Sequence, residues 1–293
     1  MELAGINKIV FYNHFGNGDV FESREFVKEW VEKLPDLEYY YAHGKNPKIL
    51  RDIPKLQFTE VTPEMQPMKT CYAIDDTYYI NTWIGRDGKY VLPGIGCVVE
   101  MLYRMHNDML RQSGLSPLTK PILDYIPNID YTYYNTMNIS KWVTAHSERK
   151  IYISNGPVQS NQAKNFDMNG AIASVAIKHS ACAFIVTQLV NFSLPNVYYL
   201  GDIVQDSEGF DLNEASYLST FCDTIIGRNS GPHVFAQVKS NWLDRDKLIL
   251  SFTYRELAAT FVLNQPVKMQ KYWSEATEEG HVIDIMNKAI ERL

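Results

Sequence analysis

Apolar residues in this chain fall into two alternating arrangements. Short runs of β-branched and aromatic residues alternate with longer stretches in which apolar positions recur at helical spacing. Residues 8–12, Lys8-Ile9-Val10-Phe11-Tyr12, form a run of the first kind and break into a polar, glycine-containing loop over 13–19. From Glu22 to Leu34 the apolar positions Phe26, Val27, Trp30, Val31 and Leu34 then predict a helix, which Pro35 closes. Strand, loop and helix in this order open a βαβ unit. Further strands are predicted over 37–41 and 78–85. A helix follows over 98–111, with Val98, Val99, Leu102, Met105 and Met109 inward.

The alternation restarts in the second half. Strands are predicted over 150–154, 182–187, 197–200, 224–226 and 247–252, and helices over 172–178, 213–221 and 281–293. Between the halves, 113–130 carries Pro117, Pro121 and Pro127, which interrupt any long element and mark a linker. Two rounds of βα alternation predict an α/β protein of two Rossmann-like domains facing across a cleft. The boundaries are set at 1–135 and 136–280, with 281–293 as a terminal helix.

Composition narrows the class. A chain of 293 residues with 45% hydrophobic and 21% charged residues has room for two domain cores. A net charge of -6 disfavours nucleic acid as a partner. Cys71, Cys97, Cys182 and Cys222 have no CxxC spacing and read as free thiols of a reducing compartment. No basic stretch followed by an apolar one opens the chain, and no run reaches membrane-span length, so a cytoplasmic location is expected. The 19 tyrosines suit either a tyrosine-rich core or surfaces that stack on sugars and bases.

Several loops carry candidate chemistry. Gly16-Asn17-Gly18-Asp19 has Phe21 where a dinucleotide fingerprint needs its third glycine, so it is not that fingerprint. It does place a carboxylate after the first strand, where ligands of open α/β sheets bind. Asp19 is therefore a candidate general base, although taken alone its simpler role is to cap the following helix. His14, in the same loop, is a weaker catalytic candidate. Asp76, before the strand at 78–85, is the second candidate base, and as an acidic pair Asp75-Asp76 lacks the spacing of a D-x-D metal clamp.

In the second half the loop after 150–154 offers Asn155, Gly156, Ser160 and Lys164 to a diphosphate. Asp202 and Ile203 follow the strand at 197–200, where main-chain groups can read a base edge, and Glu214 on the next helix is placed for a ribose. The turn Asn229-Ser230-Gly231-Pro232-His233 ends an apolar strand and opens a helix. Such a turn delivers first-turn amides and the positive end of a helix dipole to an anion. Pro232 suits a first helical position, Ser230 or Asn229 a cap, and Gly231 a close phosphate approach. A capped helix start without a ligand accounts for the same residues. No metal-binding spacing and no G-x-S-x-G elbow is present.

Together these loops resemble the GT-B glycosyltransferases, and in particular the lipopolysaccharide heptosyltransferase family, glycosyltransferase family 9. Gly18-Asp19 is similar to that family's G-x-G-D loop. Residues 212–218 with Cys222-Asp223-Thr224-Ile225-Ile226-Gly227 resemble its L-x-E-x-x-x-L segment and following strand, and 229–233 resemble its donor-phosphate turn. The middle, 45–130, does not align; Asn229 replaces the usual Asp, and His233 lies nearer the turn than the family's His in some members. The resemblance implies a hexosyl- or pentosyltransferase with a nucleotide-sugar co-substrate, UDP-sugar favoured, and no cofactor or metal. It implies a glycan or glycoconjugate acceptor, inversion by single displacement, and Asp19 as base, with Gly18 grouped among the donor-contacting residues. It also implies that 281–293 packs back on the first domain. A catalytically inactive GT-B-like protein that binds glycan or nucleotide is the alternative. An epimerase or phosphorylase on the same fold is a third, and no lysine motif for a pyridoxal cofactor is present.

Overall fold

The computed structural model describes residues 3–83, 98–159, 162–254 and 268–292. The described residues up to Asn128 form one compact unit and those from Ile129 onward form another.

The first unit is built on a five-stranded sheet in the order β3-β2-β1-β5-β4. Its strands are β1 (Lys8–Asn13), β2 (Glu38–His43), β3 (Leu56–Thr59), β4 (Cys71–Ile74) and β5 (Thr77–Asn81). All pair in parallel except β4, which turns back on β5 as an antiparallel edge. The period of two sends Ile9 and Phe11 to one face and Val10 and Tyr12 to the other, and all four are buried. The helix expected over 22–34 is two helices, α1 (Asn17–Glu22) and α2 (Arg24–Lys33). The chain bends between them at Ser23, whose hydroxyl donates to the Val20 carbonyl at 2.8 Å. Arg24 is fully buried, ion-paired with Asp52 and bonded to the Ile49 carbonyl, which ties α2 to the turn at Pro47–Leu50.

Tyrosine supplies much of this core. Tyr39 and Tyr41 stack on Phe11 at 6.3 and 6.1 Å between ring centroids. Their buried hydroxyls find partners, as buried phenols must: Tyr39 donates to the Trp30 carbonyl at 3.1 Å, and Tyr78 meets Ser113 at 2.7 Å. Helix α3 (Val98–Gln112) buries Leu102, Met105 and Met109 as its spacing predicted. The expected linker is not a loose tether. Leu118, Tyr125 and Ile126 are buried, and a single turn at Ile122–Tyr125 packs on α2 and α3.

The second unit has a six-stranded, all-parallel sheet in the order β11-β10-β9-β6-β7-β8. The strands are β6 (Arg149–Ser154), β7 (Cys182–Val186), β8 (Val197–Tyr199), β9 (Thr224–Arg228), β10 (Leu248–Phe252) and β11 (Gln270–Ser274). The winding reverses between β6 and β9, which places a topological switch point there. Helices α4 (Met137–Ala145), α5 (Asn169–Lys178), α6 (Leu200–Val204), α7 (Leu212–Ser219), α8 (Gly231–Phe235), α9 (Lys239–Trp242) and α10 (Glu279–Glu291) complete the unit.

Ile151, Ile153, Ile226 and Leu250 share one core cluster with Ile172 and Val175 of α5 and with Val282, Met286 and Ile290 of α10. The terminal helix thus buries its apolar stripe in the second unit, where the family resemblance had it packing on the first. The reason is local: the α10 stripe lies beside α5 and covers β9 and β10. Ile84-Gly85, Cys97 and Leu293 of the predicted elements and thiols lie outside the described residues.

Candidate functional site

On the first sheet, the C-terminal strand ends carry a polar network. Asn13 closes β1, and its side-chain amide donates to the Thr82 hydroxyl at 3.1 Å. The Tyr41 hydroxyl lies 2.7 Å from the same Thr82 oxygen and 3.0 Å from Ser23. Two matching turns stand on this network. Asn13 accepts from the Phe15 amide at 2.9 Å and Asn81 from the Trp83 amide at 3.0 Å, and the two rings stack at 3.7 Å.

Asp19 sits beside these turns, but not as the cap. Gly16 holds the N-cap position and Asp19 is three residues into α1, with its Oδ2 accepting from the Gly16 N–H at 3.1 Å. Burial raises the Asp19 carboxyl above its ordinary range. The Gly16 amide, its own amide and the Lys45 charge oppose that shift without cancelling it. Gly18 contributes backbone to the same turn of α1.

The other first-unit candidates separate from Asp19. His14 is exposed, and its Nε2 lies 2.9 Å from the Met65 carbonyl, so the ring serves as a donor to the backbone. Asp76 lies at the wrong edge of the sheet. Strand β5 runs parallel to β1 with Thr77 opposite Lys8, so the turn at Asp75-Asp76 precedes both strands while Asp19 follows β1. At about 3.3 Å per residue the length of β1 separates them by roughly 17 Å. The Asp76 carbonyl instead accepts from the Asn7 and Lys8 amides, which makes it a structural turn residue.

In the second unit every parallel strand delivers its exit loop to one edge. At the switch point Ser154, Gly227 and Ser251 stand side by side across β6, β9 and β10. His233 covers this row. Its Nε2 lies 2.7 Å from the Ser251 hydroxyl, and its Nδ1 would lie 2.9 Å from a Cβ on Gly227. The ring is fully buried, and burial with the Lys271 charge pushes its pKa down to about 3. His233 is thus a neutral pin that holds the turn on the sheet, not a charged ligand for a phosphate.

The turn itself departs from expectation in one respect. Helix α8 has only five residues, so the dipole behind it is small. What remains are first-turn amides and a hydroxyl: Gly231 and His233 carry N–H groups there, while Pro232 carries none. Ser230 is the N-cap residue yet makes no capping bond. Its Oγ is buried and, among the described residues, unpartnered, as is the Oγ of Ser154. The Asn229 amide is taken by the Phe252 carbonyl at 3.0 Å.

The loop after β6 is fastened rather than free. The Asn155 side chain accepts from the Gln188 amide at 2.8 Å and donates to the Gln188 carbonyl at 3.1 Å, with Gly156 packed on the Gln188 side chain. Arg228, at the end of β9, donates to the carbonyls of Asn155 and Phe166 and lies over the Phe166 ring. Lys164 is exposed and lines a small cavity of about 50 Å³ with Phe166, Phe252 and Tyr254. Ser160 lies outside the described residues.

Asp202 and Ile203 belong to α6 rather than to a loop, with Asp202 exposed and the Ile203 side chain in the core. Strand β8 is three strands from β9, which puts α6 roughly 14 Å along the edge from the 229–233 turn. Glu214 is fully buried in the first turn of α7. A signal for the missed residues existed: Asn81 and Arg228 are polar positions closing their strands, and Ser251 is the single polar position within β10. Among the described residues no group of three or more His, Cys, Asp or Glu is placed to hold a metal ion, and no helix is long and apolar enough to cross a membrane.

No family model and no curated protein matches the chain by sequence. Solved structures do match its backbone. A glycosyl transferase family 9 protein from Veillonella parvula superposes with a TM-score of 0.55 at 11% identity, over 98% of this chain and 92% of that one. The E. coli ADP-heptose lps heptosyltransferase II gives 0.56 at 11% identity over 97% and 99% of the two chains. E. coli heptosyltransferase WaaC with ADP-2-deoxy-2-fluoro heptose gives 0.55 at 8% identity, over 97% and 99%. The fold is GT-B. At these identities the GT-B likeness establishes architecture, and the chemistry has to be argued from residues.

Proposed function

We propose that this GT-B chain is a glycosyltransferase that moves a sugar from a nucleoside-diphosphate sugar to a glycan hydroxyl, with inversion and without a metal ion. The observation that carries the reading is Asp19: a carboxyl raised by burial, held by the Gly16 amide, at the ligand-binding edge of the first sheet. A raised carboxyl is a stronger base once ionised, which suits removal of a hydroxyl proton. In the proposed step Asp19 takes the acceptor proton while the acceptor oxygen bonds to the anomeric carbon. The bond from that carbon to the diphosphate breaks, and the leaving group carries away the electron pair. The Ser230 hydroxyl and the Gly231 and His233 amides are the groups assigned to the charge that develops on it.

UDP-sugars are the proposed donors because that class is common on this fold. ADP-sugars form the second arm of any test, since one WaaC structure carries an ADP-heptose analogue. The decisive experiment compares wild type with Asp19→Asn in a transfer assay and in a nucleotide-binding assay. Asparagine keeps an oxygen for the Gly16 amide, so the fold and donor affinity are expected to persist while turnover falls about 10²- to 10⁴-fold. Wild-type turnover in the variant would remove Asp19 from the mechanism. Nucleotide affinity with neither transfer nor donor hydrolysis would mark a binding protein instead.

A further inference from the structure

The loop that carries Asp19 also presents an aromatic ring to solvent. Phe15 is 38% exposed, although the backbone around it is tied down. Its amide donates to the Asn13 side chain at 2.9 Å, the Gly16 amide donates to Asp19 at 3.1 Å, and His14 is fastened to the Met65 carbonyl at 2.9 Å. The Phe15 ring lies against Trp83 at 3.7 Å between centroids and 23° between planes. Trp83 stands on the matching turn at the end of β5, where its amide donates to the buried Asn81 side chain. With one face covered by Trp83, the part of Phe15 that meets solvent is the opposite face and its edge.

A lone exposed phenylalanine needs no explanation by itself. This one differs in its fixed turn, in the second ring behind it, and in the carboxyl beside it. The Asp19 Oδ2 accepts from the N–H of Gly16, so ring and carboxyl flank a single peptide. Asn17, in the same turn, keeps its Oδ1 without a partner among the described residues. A rigid ring offers contact area at small entropic cost, because its few rotatable bonds are already held. The ligand it suits has one apolar face and a rim of hydroxyls. A pyranose is built this way: its axial C–H groups carry slight positive charge and meet the negative face of an aromatic ring. Its hydroxyls point outward from the ring, toward the polar groups of the turn.

We propose that Phe15, backed by Trp83, is the platform on which the acceptor sugar stacks, holding a pyranose ring so that one of its hydroxyls reaches Asp19. The acceptor part rests on the glycosyl-transfer reading, whereas sugar stacking on Phe15 does not. The twin turns at Asn13 and Asn81 then have a purpose beyond closing their strands: they hold the two rings face to face at the sheet edge that carries the base.

The test is an NMR titration of the full chain with the methyl β-glycosides of glucose, galactose, N-acetylglucosamine and xylose. Stacking moves sugar C–H signals upfield through the ring current, and at least one glycoside is expected to show this with wild type. Phe15→Tyr is expected to keep the shift. Phe15→Leu, which fills the space against Trp83 without an aromatic face, is expected to weaken that glycoside about tenfold. Phe221→Leu is the control expected to bind as wild type does, since Phe221 is equally exposed at 38% but precedes β9 in the second unit. In the transfer assay Phe15→Leu should raise the acceptor KM about tenfold and the donor KM less than about twofold. The proposal is overturned if no glycoside shifts, if Phe15→Leu binds the shifting glycoside as wild type does, or if sedimentation shows a dimer that Phe15→Leu dissociates. Transfer with an acceptor KM that Phe15→Leu leaves unchanged would refute the platform and leave the transferase reading standing. Phe15-dependent glycoside binding in a chain that neither transfers a sugar nor hydrolyses a donor would uphold the stacking site and refute the transferase reading.

Discussion

Gly227 is the residue on which the second-unit site closes, and Gly227→Ala measures how tightly. A Cβ at this position would lie 2.6 Å from the Ser154 Cβ, 2.9 Å from the His233 Nδ1 and 3.1 Å from the Ser154 carbonyl oxygen. Carbon atoms rest at about 3.5–4.0 Å, so the closest contact is short by about 1 Å. Ser154 pairs with Gly227 in register and His233 is anchored to Ser251, so neither neighbour can swing aside cheaply. Overpacking of this kind costs about 1–3 kcal/mol. The usual gain from replacing a strand glycine, roughly 0.5–1 kcal/mol, offsets part of that. The net expectation is a loss of about 1 kcal/mol, or roughly 2–4 °C in melting temperature for a unit of this size. Urea unfolding followed by fluorescence reads it, and Gly227→Ala/Ser154→Gly should recover at least half the loss by removing the nearest atom. A single variant as stable as wild type, or a double variant with additive losses, would refute the packing argument.

Lys247 is buried and its ammonium donates to the carbonyls of Ser219, Thr220 and Cys222 at 3.2, 2.6 and 2.7 Å, capping the end of α7. Lys247→Met should cost about 3 kcal/mol in a denaturation experiment, since it strands three carbonyls. His233 titrates near 3 when folded against an ordinary 6.5, so the unfolded chain binds the extra proton between those values. Its contribution to stability is therefore lost as pH falls from about 6.5 toward 3, with a slope of up to about 1.4 kcal/mol per pH unit, and His233→Gln should flatten the acid limb of the stability profile. Parallel profiles for the two proteins would contradict this. Asp76→Asn should leave both transfer rate and stability within about 0.5 kcal/mol of wild type, and a tenfold fall in rate would contradict its place at the far edge.

The central strands were legible because they are buried on both faces. Residues 8–13, 149–154, 182–186, 224–228 and 248–252 read as continuous apolar runs, as parallel strands do. Of the edge strands only β8, read over 197–200, was. Strand β3 is half exposed, β4 leaves Ala73 and Ile74 in solvent, and β11 alternates partly covered with exposed positions, so none has a clean period. The break at Ser23 also escaped notice, because its cause, the hydroxyl contacts with Val20 and Tyr41, is tertiary. The positions of Asp19 and of the 229–233 turn followed from strand-loop-helix order, which is local. Asp76 was misplaced because its edge depends on the direction of β5 relative to β1, and nothing within the segment fixes that. His233 was visible as a residue, but its burial depends on two serines and a glycine from three strands.

The bond from His233 to Ser251 and the fit of its ring over Gly227 bear on time as well as shape. The 229–233 turn is fixed to β9 and β10, two interior strands of its sheet, and the Asn229 amide is paired to Phe252. It therefore cannot loosen on its own: its opening is linked to the opening of β9 and β10, the slowest and rarest of the motions available to such a unit. An anion arriving there meets a surface that is already set. Its association rate is then governed by encounter, and the residence time alone distinguishes a good ligand from a poor one.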